Sequence, residues 1–195
     1  MDIILASNNQ HKLKELSTIL GDKFDKIFSL QDKGINIEIE ETGKTFLDNA
    51  LIKAKAIAEL TNMPAVSDDS GLCVDALDGA PGVYSARFAG EPCNDTANNT
   101  LLLTKLRALE QTQPRNRKAH FCSVVVLYYP DGKYICGQGA IDGHIIDDYR
   151  GTNGFGYDPI FFCDQLGKTF AEASAQEKNS CSHRSKALAD LLTKL

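Results

Sequence analysis

The 195-residue sequence lacks the features that mark membrane proteins, secreted proteins and proteins that coat nucleic acids. No apolar run approaches the roughly 20 residues that a membrane helix needs. The first residues contain no basic segment followed by a long apolar one, so they do not resemble a signal peptide. The net charge of -5 argues against a nucleic-acid partner, although a local basic pocket and a metal ion could still hold an anionic substrate. We therefore expect a cytoplasmic protein with no nucleic-acid or membrane partner.

The six cysteines include no C-x-x-C pair and no short Cys/His cluster with zinc-ligand spacing. Four of them lie in apolar, strand-like runs, where a free cysteine behaves as a small hydrophobic residue. These four are Cys73, Cys122, Cys136 and Cys163. We therefore predict reduced structural thiols and no disulfide framework. No stretch rich in Pro, Gly or Ser divides the sequence, which predicts a single domain over residues 1–195.

Short strands alternate with helices in the first half of the sequence, and a long hairpin follows in the second half. Residues 3–6 form a buried, strand-like run, and the helical pattern that begins near Leu13 ends at Gly21. Pro130-Asp131-Gly132 separates two β-prone runs and predicts a hairpin turn. Further strands are predicted at residues 65–67, 119–129, 133–141 and 160–163, and further helices at residues 42–60, 94–109 and 182–195. The pattern indicates an α/β fold with a mixed β-sheet flanked by helices.

Acidic residues gather at two places in the sequence. Glu38, Glu40 and Glu41 precede the long second helix, and Asp68-Asp69 follows the strand predicted at residues 65–67. Adjacent carboxylates repel each other unless a cation or a proton neutralises them. Oxygen ligands with no nearby Cys/His cluster favour a hard cation, magnesium first. A single Asp-Asp pair could merely cap a loop, but two acidic clusters together indicate a metal site.

Three lysines supply the complementary charge, namely Lys12, Lys53 and Lys178. Each alone would be an ordinary surface lysine, but Lys53 lies at the edge of the apolar face of its helix. The polar turn after the first strand also places backbone N–H groups and a helix N-terminus at the carboxyl end of a strand, where α/β proteins bind anions. Together these features are typical of a phosphate-binding site.

Residues 151–159 form a glycine-rich turn that carries two aromatic rings and a carboxylate. The glycine spacing does not match a dinucleotide-binding fingerprint, and no helix follows. Glycines allow close backbone approach, an aromatic ring can stack on a base, and Asp158 can accept from ring N–H groups. A tight loop with Phe155 in the core explains this stretch equally well. Likewise, His183-Arg184 either opens a helix as an ordinary first turn or offers donors to a carbonyl or phosphate oxygen.

Taken together, these motifs resemble the inosine triphosphate pyrophosphatase family, also called the Ham1-like or XTP/dITP diphosphatase family, over essentially the whole sequence. The matching motifs are Ser7-Asn8-Asn9-Gln10-His11-Lys12, Glu40-Glu41-Thr42-Gly43 with Asn49 and Lys53, Ser67-Asp68-Asp69-Ser70-Gly71-Leu72, residues 79–87, residues 154–159, Glu177-Lys178 and Ser182-His183-Arg184. The sequence departs from the family pattern at Asn8 and Ser185, where glycine is common, and at His11, where glycine or lysine is common. None of these departures removes a catalytic group.

The resemblance implies an elongated α/β fold, with a central mixed sheet flanked by helices and a cleft between two lobes, in a homodimer. It implies hydrolysis of non-canonical purine nucleoside triphosphates (ITP, dITP and XTP) to the monophosphate and pyrophosphate, which removes them from the nucleotide pool. Water would attack the α-phosphorus, with Mg²⁺ as the cofactor and Mn²⁺ as an alternative.

The resemblance also implies residue roles. Glu41 and Asp69 would bind the metal, Asp69 or Asp68 would act as the base, and Lys53 would neutralise phosphate charge. The triphosphate would be held by Ser7, Asn8, Asn9, Gln10, His11 and Lys12, with Ser70 touching the nucleotide. The base pocket would consist of Phe155, Gly156, Tyr157, Asp158, Lys178, His183 and Arg184. Hydrogen-bond donors there would match a 6-oxo group and disfavour adenine.

Two alternative functions remain at this stage. One is a Maf-type pyrophosphatase that acts on pyrimidine or other modified nucleotides, and the other is a non-catalytic nucleotide-binding protein. The Phe155 loop and His183-Arg184 argue against the first alternative, and the intact pair Asp68-Asp69 argues against the second.

Overall fold

The computed structural model describes residues 1–195, apart from the side chain of Asp22. The strands are β1 (Asp2–Leu5), β2 (Lys26–Ser29), β3 (Ala65–Val74), β4 (Lys118–Tyr128), β5 (Tyr134–Ile145), β6 (Phe161–Cys163) and β7 (Lys168–Thr169). The α-helices are α1 (Gln10–Leu20), α2 (Phe46–Thr61), α3 (Asp95–Leu109), α4 (Ala175–Cys181) and α5 (His183–Leu192). In the part of the chain that the structure describes, every helix is too short or too polar to cross a membrane.

All seven strands join one mixed sheet in the order β2-β1-β3-β4-β5-β6-β7. β1 pairs in parallel with β2 and β3, whereas β6 pairs antiparallel with β5 and β7. The hairpin turn between β4 and β5 is closed by a 2.8 Å hydrogen bond from the Tyr129 amide to the Lys133 carbonyl. The predicted α/β fold with a mixed sheet is confirmed.

The chain divides into two compact units. The first consists of Met1–Asp69, Ser123–Gly139 and His183–Leu195, and the second of Ser70–Cys122 and Ala140–Ser182. The described residues form two buried apolar clusters in the first unit and one in the second.

The first unit buries both faces of its part of the sheet. Because side chains alternate along a strand, Ile3 packs with Leu16 and Leu188 of α1 and α5, while Ile4 packs with Ala54 and Ile57 of α2. Strands covered on both faces are expected to be apolar, as Ile3, Ile4 and Leu5 of β1 are. This arrangement places the beginning of α1 and the beginning of α5 in the same unit.

α5 lies directly against β5 because two positions of the strand have no side chain. A Cβ atom at Gly137 would collide with the backbone of Ala187 and Leu191, and one at Gly139 would collide with the backbone of His183. Glycine at these positions permits the close approach, which places the first turn of α5.

The second unit is organised around an aromatic cluster. The ring of Phe121 in β4 lies edge-on to Phe161, with centroids 4.7 Å apart, and stacks on Phe170 at 5.9 Å. Leu102 and Leu106 of α3 cover this cluster. The apolar stripe of the predicted helix at residues 94–109 is therefore confirmed as a core face.

α2 begins at Phe46, later than the predicted start at residue 42. Thr45 is the N-cap, since its hydroxyl accepts from the Asp48 amide and the Asp48 carboxylate accepts from the Thr45 amide. This reciprocal pair is a capping box, which satisfies two donors at the helix start. The segment before Thr45 is left outside the helix.

The acidic pair lies inside a strand, so the prediction that the strand ends at residue 67 is wrong. β3 continues through Asp68 and Asp69 to Val74. The register pairs Leu5, the last residue of β1, with Val66, so the acidic pair lies beyond the carboxyl end of β1. That edge is the expected location for ligand-binding groups in an α/β sheet.

Candidate active site

The turn between β1 and α1 presents an exposed, capped helix N-terminus in the first unit. The Asn9 side chain caps α1, its Oδ1 accepting from the amides of His11 at 3.0 Å and Lys12 at 3.1 Å. Ser7 Oγ accepts from the Asn9 amide at 3.2 Å. Residues 8–11 are exposed. Since a helix N-terminus attracts anions, the predicted phosphate turn has a suitable local structure.

Asp68 is the centre of a buried charge network in the first unit. Its Oδ2 lies 2.8 Å from Lys12 Nζ and 3.1 Å from Arg184 Nη2, and its Oδ1 accepts from the Ser123 hydroxyl. Arg184, which is only 1% exposed, also pairs with Glu15. Burial opposes ionisation of Asp68, but Arg184 and Lys12 outweigh that effect and hold its pKa well below the ordinary value.

Asp69 faces a different set of partners, as alternation along a strand requires. Its Oδ1 lies 3.6 Å from Lys53 Nζ, and its Oδ2 accepts from Asn49 Nδ2 at 3.2 Å. Burial raises the pKa of Asp69, and the nearby charges of Glu41 and Asp68 add to this rise, against the opposing effect of Lys53 and Lys12. The two neighbouring aspartates therefore have pKa values displaced in opposite directions.

Lys53 connects the two acidic clusters that the sequence shows. Its Nζ lies 2.5 Å from Glu41 Oε1 and donates to the Asp68 backbone carbonyl at 2.9 Å. Burial lowers the pKa of Lys53, but the charges of Asp69 and Glu41 outweigh it, so the pKa is raised. Lys53 thus pairs with Glu41 of the first acidic cluster and Asp69 of the second, whereas Glu38 and Glu40 are exposed. A metal ion at this point stays a prediction.

The donor set around Glu41 and Asp69 fits a hard divalent cation. Both carboxylates contact one ammonium group, which shows that this point of the unit attracts positive charge. All the acceptors are oxygens, the ligands that magnesium prefers. The raised pKa of Asp69 agrees with a carboxylate that a further cation would stabilise.

In the second unit, the glycine-rich loop is held from two sides. Asp158, only 2% exposed, accepts from the Phe155 amide at 2.9 Å and from Lys178 Nζ at 2.7 Å. The Lys178 ammonium lies 4.9 Å from the centre of the Phe155 ring, within the range of a cation–π contact. The Tyr157 ring belongs to the core, and its hydroxyl donates to the Ser85 carbonyl at 2.8 Å.

These contacts refine the predicted roles within the loop. Asp158 binds Lys178 and the Phe155 amide, and Tyr157 packs in the core, so both side chains have structural tasks that the sequence does not reveal. Phe155 is half-buried and Gly156 is half-buried as well. The contact of residues 155–158 with a purine base stays a prediction.

The predicted site residues fall into two groups. The first unit holds Ser7, Asn8, Asn9, Gln10, His11, Lys12, Glu41, Lys53, Asp68, Asp69, His183 and Arg184, and the second holds Ser70, Phe155, Gly156, Tyr157, Asp158 and Lys178. In the first group the structure forms two sets of ion pairs, Lys12 and Arg184 with Asp68, and Lys53 with Glu41 and Asp69. The two sets meet where Lys53 Nζ donates to the Asp68 backbone carbonyl.

Sequence reasoning missed several supporting residues. Ser123 is a single polar residue in the apolar run of β4, and that isolation was the available signal for its bond to Asp68. No comparable feature of the sequence indicated that Glu15 pairs with Arg184. Asp95 and Asn99 of α3 hold the glycine-rich loop, Asp95 accepting from the Gly156 amide at 2.7 Å and Asn99 donating to the Gly156 carbonyl at 3.0 Å.

The fold and the charged residues together define a class of protein: an α/β protein in which an exposed helix N-terminus, partly buried lysines and carboxylates lie in one unit. Metal-dependent phosphate chemistry uses these groups. The chain belongs to the Ham1 family, because the model of that family matches residues 3–194.

Individual relatives resemble the chain over nearly its full length. The dITP/XTP pyrophosphatase of Desulforamulus reducens is 47% identical over 188 residues, which cover 96% of this chain and 92% of that protein. The dITP/XTP pyrophosphatase of Leuconostoc mesenteroides is 48% identical over 198 residues, covering 100% and 96% respectively. The solved structure of a HAM1 protein from Coxiella burnetii is 39% identical and has a TM-score of 0.88, with 100% of both chains covered. The predicted family is confirmed.

Proposed function

We propose that the chain hydrolyses the non-canonical purine nucleotides dITP, XTP and ITP to the monophosphate and pyrophosphate. The observation that carries this proposal is that Lys12, in the first turn of α1, pairs with Asp68, while Lys53 pairs with Asp69 and Glu41. Relatives that are 47% and 48% identical are dITP/XTP pyrophosphatases. Membership of the Ham1 family favours this function over a Maf-type activity. We also propose that the protein acts in the cytoplasm.

Asp69, and not Asp68, is the general base in this proposal. Asp68 is tied to Lys12, Arg184 and Ser123 and has a strongly lowered pKa, so it is a poor proton acceptor. Asp69 is engaged less tightly, because Lys53 Nζ lies 3.6 Å from its Oδ1 and Asn49 donates to its Oδ2 at 3.2 Å. Asp69 therefore takes the proton of the attacking water, and Asp68 positions its own partners, Lys12 and Arg184.

Glu41 and Asp69 are the residues that would hold Mg²⁺, with Mn²⁺ as the alternative. When bound, the ion supplies positive charge that stabilises the developing charge on the phosphate. The turn of residues 7–12 and the ammonium groups of Lys12 and Lys53 bind the phosphate oxygens. In the second unit, Ser70, the Phe155 ring, Gly156 and Lys178 are the residues that we assign to the nucleoside, supported by Tyr157 and Asp158. His183 and Arg184, which the family resemblance assigns to the base pocket, belong to the first unit.

Product analysis tests the reaction type directly. With ITP and magnesium, ³¹P NMR is expected to show IMP and pyrophosphate, because the attack is on the α-phosphorus. Chelation by EDTA should stop the reaction, and added magnesium should restore it, because Glu41 and Asp69 require a cation. Release of inorganic phosphate with IDP as the product, or full activity in EDTA, would refute the proposal.

The protein is proposed to be a homodimer, as the family resemblance implies. Sedimentation at micromolar concentration is expected to give twice the chain mass of 21.3 kDa. A concentration series checks the assignment, since a dimer should dissociate only on dilution. A species of single chain mass across the whole series would refute this part of the proposal.

A further inference from the structure

A second group of ligand-type side chains lies in the second unit, outside the network of lysines and carboxylates. Cys73 in β3 and His120 and Cys122 in β4 each offer one ligand atom, and these three atoms all lie within 4.8 Å of one another. The two sulfur atoms are 3.7 Å apart. The sequence shows no zinc-binding motif here, because Cys73 is separated from the other two residues by more than forty positions.

The strands bring these side chains to one face of the sheet. In β4, Ala119 and Phe121 point into the core, so His120 and Cys122 occupy the opposite face. In β3, Leu72 and Val74 belong to the same core, and Cys73 between them therefore faces the other way.

The ligand atoms are consequently fixed by paired backbone and remain accessible. Cys73, His120 and Cys122 are each half-buried, so an ion can reach them. The hydrogen bond with Cys73 and burial raise the pKa of the Cys122 thiol, and a nearby negative charge adds to this rise. That charge belongs to Asp142, which is exposed on the neighbouring strand β5 beside the buried Ile141. Its negative charge on this side favours a cation.

The separation of the sulfur atoms matches metal coordination. Two thiolates on a tetrahedral zinc ion, with Zn–S bonds of about 2.3 Å, are about 3.8 Å apart. The observed distance is 3.7 Å, whereas the sulfur atoms of a disulfide are about 2.05 Å apart. Two thiolates and an imidazole are a preferred ligand set for zinc, and hard cations such as magnesium do not favour it.

We propose that Cys73, His120 and Cys122 bind one zinc ion with three protein ligands and water in the fourth position. Both cysteines bind as thiolates and release their protons on binding. This inference does not depend on the proposed function, because it uses different residues and a different class of metal.

The test is a titration of the full-length, chemically reduced protein with Co²⁺ and then Zn²⁺. Co²⁺ is expected to produce thiolate-to-metal absorption and the intense visible bands of a tetrahedral site at one equivalent, and Zn²⁺ should displace it. The variants Cys73→Ser, Cys122→Ser and His120→Gln should each lose more than about 100-fold in affinity, since even outer-shell changes cost 10–100-fold. Cys93→Ser and Cys136→Ser are matched controls that should bind like the unmodified protein.

A second measurement needs no variant. Zinc should protect two thiols of the unmodified protein from an alkylating reagent, and peptide mapping should place the protection at Cys73 and Cys122. Absence of saturable binding, retention of binding in the three ligand variants, or protection at other cysteines would overturn the proposal. So would a Cys73–Cys122 disulfide that forms in air in the presence of excess zinc.

Discussion

Asp69→Asn is expected to lower the turnover of ITP by at least about 10²–10⁴-fold, the contribution typical of a general base. Asparagine has the same shape but can neither accept the proton of water nor bring negative charge to the metal and to Lys53. Since burial and like charges already disfavour the ionised form of Asp69, the neutral side chain should not destabilise the fold. Steady-state pyrophosphate release and thermal unfolding measure the two effects separately.

Asp131→Asn is the matched control for this variant. Asp131 lies in the exposed hairpin turn, and its Oδ1 accepts a hydrogen bond from the Lys133 amide. Asparagine can accept the same hydrogen bond, so the Asp131→Asn variant should keep full activity. A folded Asp69→Asn protein with activity near that of the control would show that Asp69 is neither base nor metal ligand.

Arg184→Ala is expected to destabilise the protein by about 3–5 kcal/mol, the range for removing one partner of a buried ion pair. The guanidinium is 1% exposed and pairs with both Asp68 and Glu15. Without it, Asp68 would remain buried with a single cationic partner, Lys12. Urea unfolding measures the loss. Arg115→Ala is the control, because Arg115 is exposed and surface ion pairs contribute about 0–1 kcal/mol.

A double-mutant cycle shows whether the Asp68–Arg184 pair is the cause. Combining Arg184→Ala with Asp68→Asn should cost less than the sum of the two single changes, because the stranded charge is removed. Strict additivity would refute the explanation. Because Arg184 has this structural role, a loss of activity in an unstable Arg184→Ala protein would not show whether Arg184 contacts the purine base.

The charge network also predicts the direction of acid destabilisation. The folded pKa of Asp68 lies below its unfolded value, so its ion pairs contribute stability above the unfolded pKa, and this contribution is lost as pH falls through the folded pKa. The same sign explains why Asp68 stays charged throughout the neutral range.

Much of the fold could be predicted from the sequence because its signals are local. The apolar stripe at residues 94–109 and the Pro130-Asp131-Gly132 turn act over a few positions, and both are confirmed. The predicted start of α2 at residue 42 was wrong, although the sequence contains the residues that set the observed start. Thr45 and Asp48 form a capping box, so the helix begins after Thr45 and not at Thr42.

The prediction that β3 ends at residue 67 was wrong for a different reason. Asp68 and Asp69 are poor strand formers alone. They are stable within β3 because Arg184, Ser123 and Lys53, remote in sequence, supply their partners. The cluster of Cys73, His120 and Cys122 was missed on the same grounds, because spacing motifs do not detect ligands that meet across paired strands. Residue types were visible in the sequence, whereas partnerships between distant segments were not.

The most direct test of the central claim compares kcat/KM for ITP and ATP in the presence of magnesium. In the proposed function any purine stacks on Phe155, so stacking does not discriminate between ITP and ATP. Lys178, whose ammonium lies 4.9 Å from the centre of the Phe155 ring, would supply a hydrogen-bond donor that matches the 6-oxo group of hypoxanthine and opposes the 6-amino group of adenine. One unmatched group costs about 1–3 kcal/mol, which predicts a preference for ITP of roughly fivefold to 150-fold. Equal values of kcat/KM for ITP and ATP would contradict the proposed function.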